Sequence, residues 1–223
     1  MGPFSLVQTK GMLAFFHTAP ANAHSFEAIA QEISPGIATR HVVREDLLDR
    51  AREASGVSDA LVAEIAAAIE SSIEPGDRVM LCTCSSIGGG ADRARHPRVP
   101  ILRVDRPMAQ LAVGLGKRIL VAACLESTIA PTVTLLKGEG DGLDIETLLI
   151  ESAWHHWSAG EPEAYWAAIA AMIKPQIEDF DAVVLAQASM AGAAALLGAH
   201  ATPVLSSPRL GVAAAIKRVD ASR

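Results

Sequence analysis

The stretch Val79-Met-Leu-Cys-Thr-Cys84-Ser-Ser86-Ile-Gly-Gly89 decides how this chain is read. A second stretch, Ala182-Val-Val-Leu-Ala-Gln187-Ala-Ser189-Met-Ala-Gly192, repeats its plan. In each, a short apolar run ends in a small-residue turn and then a helix start. Apolar runs of this length, bounded by turn residues, mark strands buried on both faces of a parallel sheet. The likeness extends outward. Val99-Pro-Ile-Leu-Arg-Val-Asp-Arg-Pro107 matches Thr202-Pro-Val-Leu-Ser-Ser-Pro208, and Met12-Leu-Ala-Phe-Phe-His-Thr18 matches Ile119-Leu-Val-Ala-Ala-Cys-Leu-Glu-Ser-Thr128. Cys84 and Gln187 stand 103 residues apart, and Pro107 and Pro208 stand 101 apart. Similar offsets in the same order read as an internal duplication.

The remaining pattern agrees. Met12–Phe16, Val79–Cys84, Pro100–Val104, Arg118–Cys124, Asp181–Ala186 and Pro203–Leu205 read as strands, with Ile37–Val43 and Leu143–Ile150 as further ones. Ser58–Ser72 reads as a helix capped by Ser58, with Leu61, Ile65, Ala68 and Ile69 on one face. Pro162–Ile177 reads as another, and Gly138–Gly142 as a loop. Strands alternating with helices predict an α/β fold with mainly parallel sheets and right-handed crossovers. The expected architecture is two similar lobes, pseudo-two-fold related, each a sheet flanked by helices, with a cleft between them. One lobe comprises residues 12–115 with a C-terminal helix from 208–223; the other comprises 116–207.

Composition bounds the function. The chain has 223 residues, is 50% apolar and carries a formal charge of −6. That length supports a sizeable core without disulfides. The negative charge argues against a nucleic-acid-binding protein. Three cysteines, with CxC rather than CxxC spacing, make neither a disulfide framework nor a zinc site and point to a reducing, cytoplasmic setting. Met1–Gly11 has no apolar core of a signal peptide, and no run is long enough to span a membrane. Aromatic residues make up only 4%, which argues against a pocket for large aryl groups, although Phe15, Phe16 and the Trp154–Trp157 stretch are available to one.

In open parallel sheets, ligands bind beyond the carboxyl ends of the strands. The residues there are His17 and Thr18; Cys84, Ser85 and Ser86; Asp105; Cys124 and Glu126–Thr128; Gln187 and Ser189; and Ser206 and Ser207. Two readings stand for Cys84. A thiol at a strand-to-helix junction meets backbone N–H groups and the positive end of a helix, which would lower its pKa and make it a base; alternatively, it is a small core residue. Gly88-Gly89-Gly90 lacks the lysine of a phosphate loop and is read as letting the backbone approach a substrate. A lone His17 is more often structural than catalytic. His155-His156 has no acidic partner at ligand spacing. Ser206-Ser207-Pro208 reads as a helix cap, as a carboxylate contact, or as both.

These residues resemble the aspartate/glutamate/hydantoin racemase superfamily, which also includes arylmalonate decarboxylase and maleate isomerase. The resemblance covers nearly the whole chain. It is carried by His17-Thr-Ala-Pro20, Leu81-Cys-Thr-Cys84-Ser-Ser-Ile-Gly88, Val104-Asp-Arg-Pro-Met108, Glu126-Ser-Thr-Ile-Ala-Pro-Thr132 and Ser206-Ser-Pro-Arg209. It implies two α/β lobes with the site between them, and proton transfer at the carbon next to a carboxylate without cofactor or metal. Two cysteines would face each other across the substrate, and dimers are frequent. Cys84 matches the first-lobe cysteine. Where hydantoin racemases read Gly-Cys-Ala-Gly-Met, this chain has Gln187. An amide has no proton that titrates near neutrality, so the two-thiol mechanism does not carry over.

Three alternatives remain: Cys124 supplies the second thiol, His17 is the second acid or base, or one thiol suffices, as in a decarboxylase. Gln187 would then bind a substrate oxygen, with Thr18, Ser85, Ser86, Thr128, Ser189, Ser206 and Ser207 as further contacts. The expected ligand is a small carboxylate, and a homo-oligomer is compatible. Two other classes are a binding protein that holds an anionic metabolite without catalysis, and an isomerase in which Cys84 forms a covalent adduct.

Overall fold

The structure, a computed structural model, describes residues 11–53, 57–198 and 200–221. The reading of Met1–Gly11 lies, except for Gly11, outside these residues. The first half of the chain runs β1 (Met12–His17), α1 (Pro20–Ile33), β2 (Thr39–Val43), α2 (Glu45–Glu53), α3 (Asp59–Ser71), β3 (Asp77–Cys82), α4 (Gly88–Arg93), β4 (Ile101–Arg103) and α5 (Arg106–Leu115). The second runs β5 (Arg118–Ala123), α6 (Glu126–Glu139), β6 (Asp144–Leu149), α7 (Trp154–Ser158), α8 (Pro162–Ile173), β7 (Ala182–Leu185), α9 (Ala193–Leu197), β8 (Val204–Ser206) and α10 (Ser207–Ala221).

The strands form two four-stranded sheets, ordered β2-β1-β3-β4 and β6-β5-β7-β8. Every ladder is parallel. The two orders are the same, and the stretches matched in the sequence occupy the same places: β1 with β5, β3 with β7, β4 with β8. The two-lobe α/β architecture is therefore present. Among the described residues, no helix is long and apolar enough to cross a membrane.

Strand alternation divides each sheet between two cores. Leu13, Phe15, Val79 and Leu81 pack under α1 and α10, whereas Ala14, Phe16, Met80 and Cys82 pack under α2 and α3. In the second sheet, Ile119, Val121 and Val184 face α5 and α6, whereas Leu120, Ala122, Cys124 and Leu185 face α8. Each fully buried Leu or Phe in these layers contributes ~1.5–3 kcal/mol.

The helices form for local reasons too. The Ser58 hydroxyl accepts from the Leu61 N–H at 3.3 Å, capping α3, and Leu61, Ile65, Ala68 and Ile69 fill its buried face. The Gly138–Gly142 stretch begins inside α6, which runs through Glu139.

Helices cross between the halves. The α5 segment, expected with the first lobe, buries Met108, Ala109 and Ala112 against the second sheet. In exchange, α10 follows the second sheet and buries Val212, Ala215, Ile216 and Val219 against the first. On α10, a Cβ at Gly211 would lie 2.5 Å from the Val104 carbonyl, so only glycine permits this approach to the end of β4.

Candidate active site

Because all strands are parallel, both sheets send their carboxyl ends toward one opening, a crevice of about 470 Å³, part of it open to solvent. The first half lines it with Thr18 after β1, Thr83–Ser86 after β3, and Asn22 and Leu48 from α1 and α2. The second half contributes Leu125 and Thr128 at the start of α6, Trp154 and Trp157 on α7, and Gln187–Ser189 after β7. Among the described residues, no charged side chain lines the crevice. The Ser86 and Thr128 hydroxyls meet at 2.9 Å and join the two halves across the floor.

Cys84 is partly exposed in this crevice, as one reading of the sequence required. Its expected acidity is corrected. Loss of water around the thiol raises its pKa; the Thr18 hydroxyl, the N–H groups of Ile87 and Ser86 and the Ser86 hydroxyl act in the opposite direction but do not reverse it. The helix behind it is only six residues long, so its dipole is small. Cys84 therefore rests as a protonated thiol surrounded by donors that favour its thiolate. Cys82, two residues back, is fully buried and its thiol is pushed up to about 12 by that burial.

The glycine run has a role different from the expected one. A Cβ at Gly90 would lie 2.2 Å from Ile65, and one at Gly88 would lie 2.5 Å from the Arg103 guanidinium. These glycines let α4 close onto α3 and onto a buried ion pair, and they do not line the crevice. Arg103 meets Asp105 through two hydrogen bonds of 2.7 and 2.8 Å and reaches Asp92 at 2.7 Å. Asp105 is thus a structural partner beneath the site.

Gln187 is nine-tenths buried, and its amide orientation is set by its partners. Its Oε1 accepts from the N–H groups of Cys124 at 2.6 Å and Leu125 at 3.0 Å. The oxygen being engaged with two backbone donors, the Nε2 group is the part of the amide left to donate to a ligand. Ser189 also lines the crevice, its hydroxyl 3.0 Å from that of Tyr165.

Four expected residues lie outside the lining. Cys124 faces the α8 core, its thiol raised to about 11 by burial and held against the Tyr165 hydroxyl. Strand alternation turns it away from Cys84's crevice. His17 is fully buried beside Phe15 and Phe26, and burial, aided by His41, lowers it to about 3. It is neutral at ordinary pH and does not itself reach the crevice. Ser206 belongs to β8, and Ser207 begins α10 with its hydroxyl fully buried and without a hydrogen-bond partner.

Sequence reasoning missed Thr83, Asn22, Leu48 and Leu125. Thr83 was legible as the residue between the two cysteines, but which face it took depended on where β3 ended. Trp154 and Trp157 were noted only as available; both line the crevice. His156, in the His155-His156 pair, is 2.7 Å from Glu161, and among the described residues no group of three or more His, Cys, Asp or Glu could hold a metal.

No family model matches the chain, and no curated protein matches it. Solved structures do. An aspartate racemase of Picrophilus torridus superposes with a TM-score of 0.68 at 16% identity, covering 94% of each chain. An allantoin racemase of Pseudomonas fluorescens gives 0.60 at 14% identity over 94% of this chain and 91% of that one. Unliganded arylmalonate decarboxylase gives 0.55 at 14% identity over 94% and 92%. The two-lobe α/β fold of this chain is thus similar to that of the aspartate/glutamate racemase, allantoin racemase and arylmalonate decarboxylase structures.

Proposed function

We propose that the protein is a cofactor-independent enzyme of the racemase kind that moves a proton at the carbon next to a carboxylate, with Cys84 as the acid/base. The observation that carries this reading is the environment of the Cys84 sulfur. It opens into the crevice and has the Thr18 and Ser86 hydroxyls and the Ser86 and Ile87 N–H groups as donors. A thiol raised by burial holds its proton until a substrate is present. The donors then stabilise the thiolate left behind when that proton moves.

The other half of the crevice has a different part. Gln187, pinned by two backbone N–H groups, offers a fixed Nε2 donor and no transferable proton. It suits an enediolate or carboxylate oxygen. Cys124 and His17 are not among the lining residues, so Cys84 is the one thiol that lines the crevice among the described residues. This favours one-thiol chemistry, such as protonation of a carbanion left by a departing carboxylate, over racemisation by two thiols. Trp154, Trp157, Leu48 and Leu125 supply apolar wall, so the substrate is a small acid carrying an apolar group.

The test is incubation in heavy water with substituted malonates, hydantoins and α-substituted monocarboxylates. Deuterium should enter at the α-carbon of at least one compound with the intact protein and of none with Cys84→Ala. Tight binding without exchange would instead identify an anion-binding protein, and a covalent mass increase during turnover would identify adduct chemistry.

A further inference from the structure

A chain of hydrogen bonds runs from the crevice to the surface of the first half. Thr83, one of the crevice-lining residues, holds its hydroxyl 2.8 Å from His17 Nδ1 and 3.2 Å from the Phe16 carbonyl. His17 Nε2 lies 2.9 Å from His41 Nδ1 on β2, and His41 Nε2 lies 3.2 Å from Glu27 on α1. The two imidazoles stack at 5.2 Å, with Phe15 5.0 Å from His41. The inner end, Thr83, is buried but stands among the crevice-lining residues. The outer end meets water, the His41 and Glu27 side chains being 22% and 37% exposed.

Donor bookkeeping allows two complete patterns. Burial disfavours the Glu27 charge, but Thr39, Gln31 and His41 together outweigh it and hold Glu27 below the usual carboxylate range, so it accepts. If both histidines are neutral, His41 donates from Nε2 to Glu27, His17 donates from Nε2 to His41, and Thr83 donates to His17. If His41 carries a second proton, it donates to Glu27 and to His17 Nε2. His17 is then protonated at Nδ1 instead and donates to Thr83, whose hydrogen is released to the Phe16 carbonyl or to a ligand. His17 stays neutral in both patterns, in keeping with its burial.

We propose that Glu27, His41 and His17 are positioning residues that make the Thr83 hydroxyl an acceptor or a donor at the crevice wall according to the proton on His41. Protonation of His41 and binding of an anion at Thr83 therefore favour each other. The anion part rests on the reading of the crevice as a carboxylate site; the switch itself does not. The titratable groups facing the relay are Glu27 from α1 and the two histidines. Arg40, beside His41 on β2, turns to Asp77 and Glu74, and Arg44 turns to Asp46.

Nitrogen-15 spectra of the histidine rings, recorded on the whole protein from about pH 5 to about pH 8 where histidines ordinarily titrate, read the switch without a ligand. His17 should remain neutral while its proton moves from Nε2 to Nδ1 as His41 takes up a proton. Glu27→Gln, at the partly exposed end, should shift the His41 midpoint downward and carry the His17 change with it. A single His17 tautomer across the titration, or a His17 change that does not follow His41 in Glu27→Gln, overturns the proposal. Formate, which stays ionised over this range, should bind more tightly below the His41 midpoint, and Thr83→Val should remove that dependence. PH-independent formate binding by the unaltered protein also overturns the coupling. If formate fails to bind at any pH, the carboxylate reading fails and the tautomer result alone decides the switch.

Discussion

At the ends of corresponding strands, the two halves of this molecule place different chemistry on the same frame. After β3 stands Cys84, and after β7 stands Gln187. At the end of β1 stands His17, hydrogen-bonded to Thr83; after β5 stands Cys124, whose N–H is held by Gln187. At β4 the chain buries the Arg103–Asp105 ion pair, and at β8 it has only Ser206 and Ser207. Shared topology makes the strand ends converge, but it does not make the converging groups alike. The first half carries the proposed acid/base and its donors. The second carries a fixed amide and the tryptophan wall. A crevice built this way is asymmetric, which is the physical basis for preferring one-thiol chemistry.

That asymmetry can be broken experimentally. Its largest expected expression is at Cys84: Cys84→Ser, which exchanges the thiol for a far weaker acid, should reduce α-proton exchange by about 10²–10⁴-fold without shifting the unfolding midpoint. Retained exchange would place the chemistry elsewhere. Next comes the ion pair. Asp105→Ala leaves the Arg103 guanidinium, only 4% exposed, without its bidentate partner and should cost about 3–5 kcal/mol in denaturant unfolding. The corresponding second-half change, Ser206→Ala, should stay within about 0.5 kcal/mol.

A third contrast is with pH. His17 is lowered to about 3 in the folded protein, whereas an unfolded histidine titrates near ~6.5. Between these values the unfolded chain binds a proton that the folded one does not. The His17 contribution is therefore complete above about pH 6.5 and is lost as pH falls toward about 3, at up to ~1.4 kcal/mol per pH unit. His17→Asn should flatten that part of the stability profile, which an acid series of urea unfolding curves would show. Cys124, at the matching place in the second half, contributes nothing over that range, because its thiol is uncharged throughout. The smallest effect is at Gln187. Gln187→Glu keeps an acceptor for the Cys124 and Leu125 N–H groups but replaces the free donor with an acceptor, and should weaken carboxylate binding by about tenfold in calorimetry. Unchanged affinity would remove Gln187 from the site.

The sequence was most legible where its signals were local. Buried parallel strands are written as apolar runs, and the matched offsets around Cys84 and Gln187 pair β3 with β7 in the sequence itself. It was least legible where direction mattered. Cys124 and His17 both stand at the carboxyl ends of strands, as Cys84 does, yet each lies on a face that packs into a helix layer, and one position of register decides that. Gly88 and Gly90 had the look of a ligand loop, but their partners, Arg103 and Ile65, are distant in the chain. The packing of α5 on the second sheet was likewise unwritten, since an amphipathic helix records that it has a buried face but not which sheet covers it, whereas α10 lies on the first sheet as its assignment to the first lobe anticipated.

Periodicity and repetition along the chain were thus enough to settle two parallel α/β halves and a crevice where their strands end, because those features depend on near neighbours. Packing across long separations decided which side chains reach that crevice, how acidic the Cys84 thiol is and which end of Gln187 is free. Burial and hydrogen-bond partners are properties of the assembled fold, and no residue carries them by its identity alone.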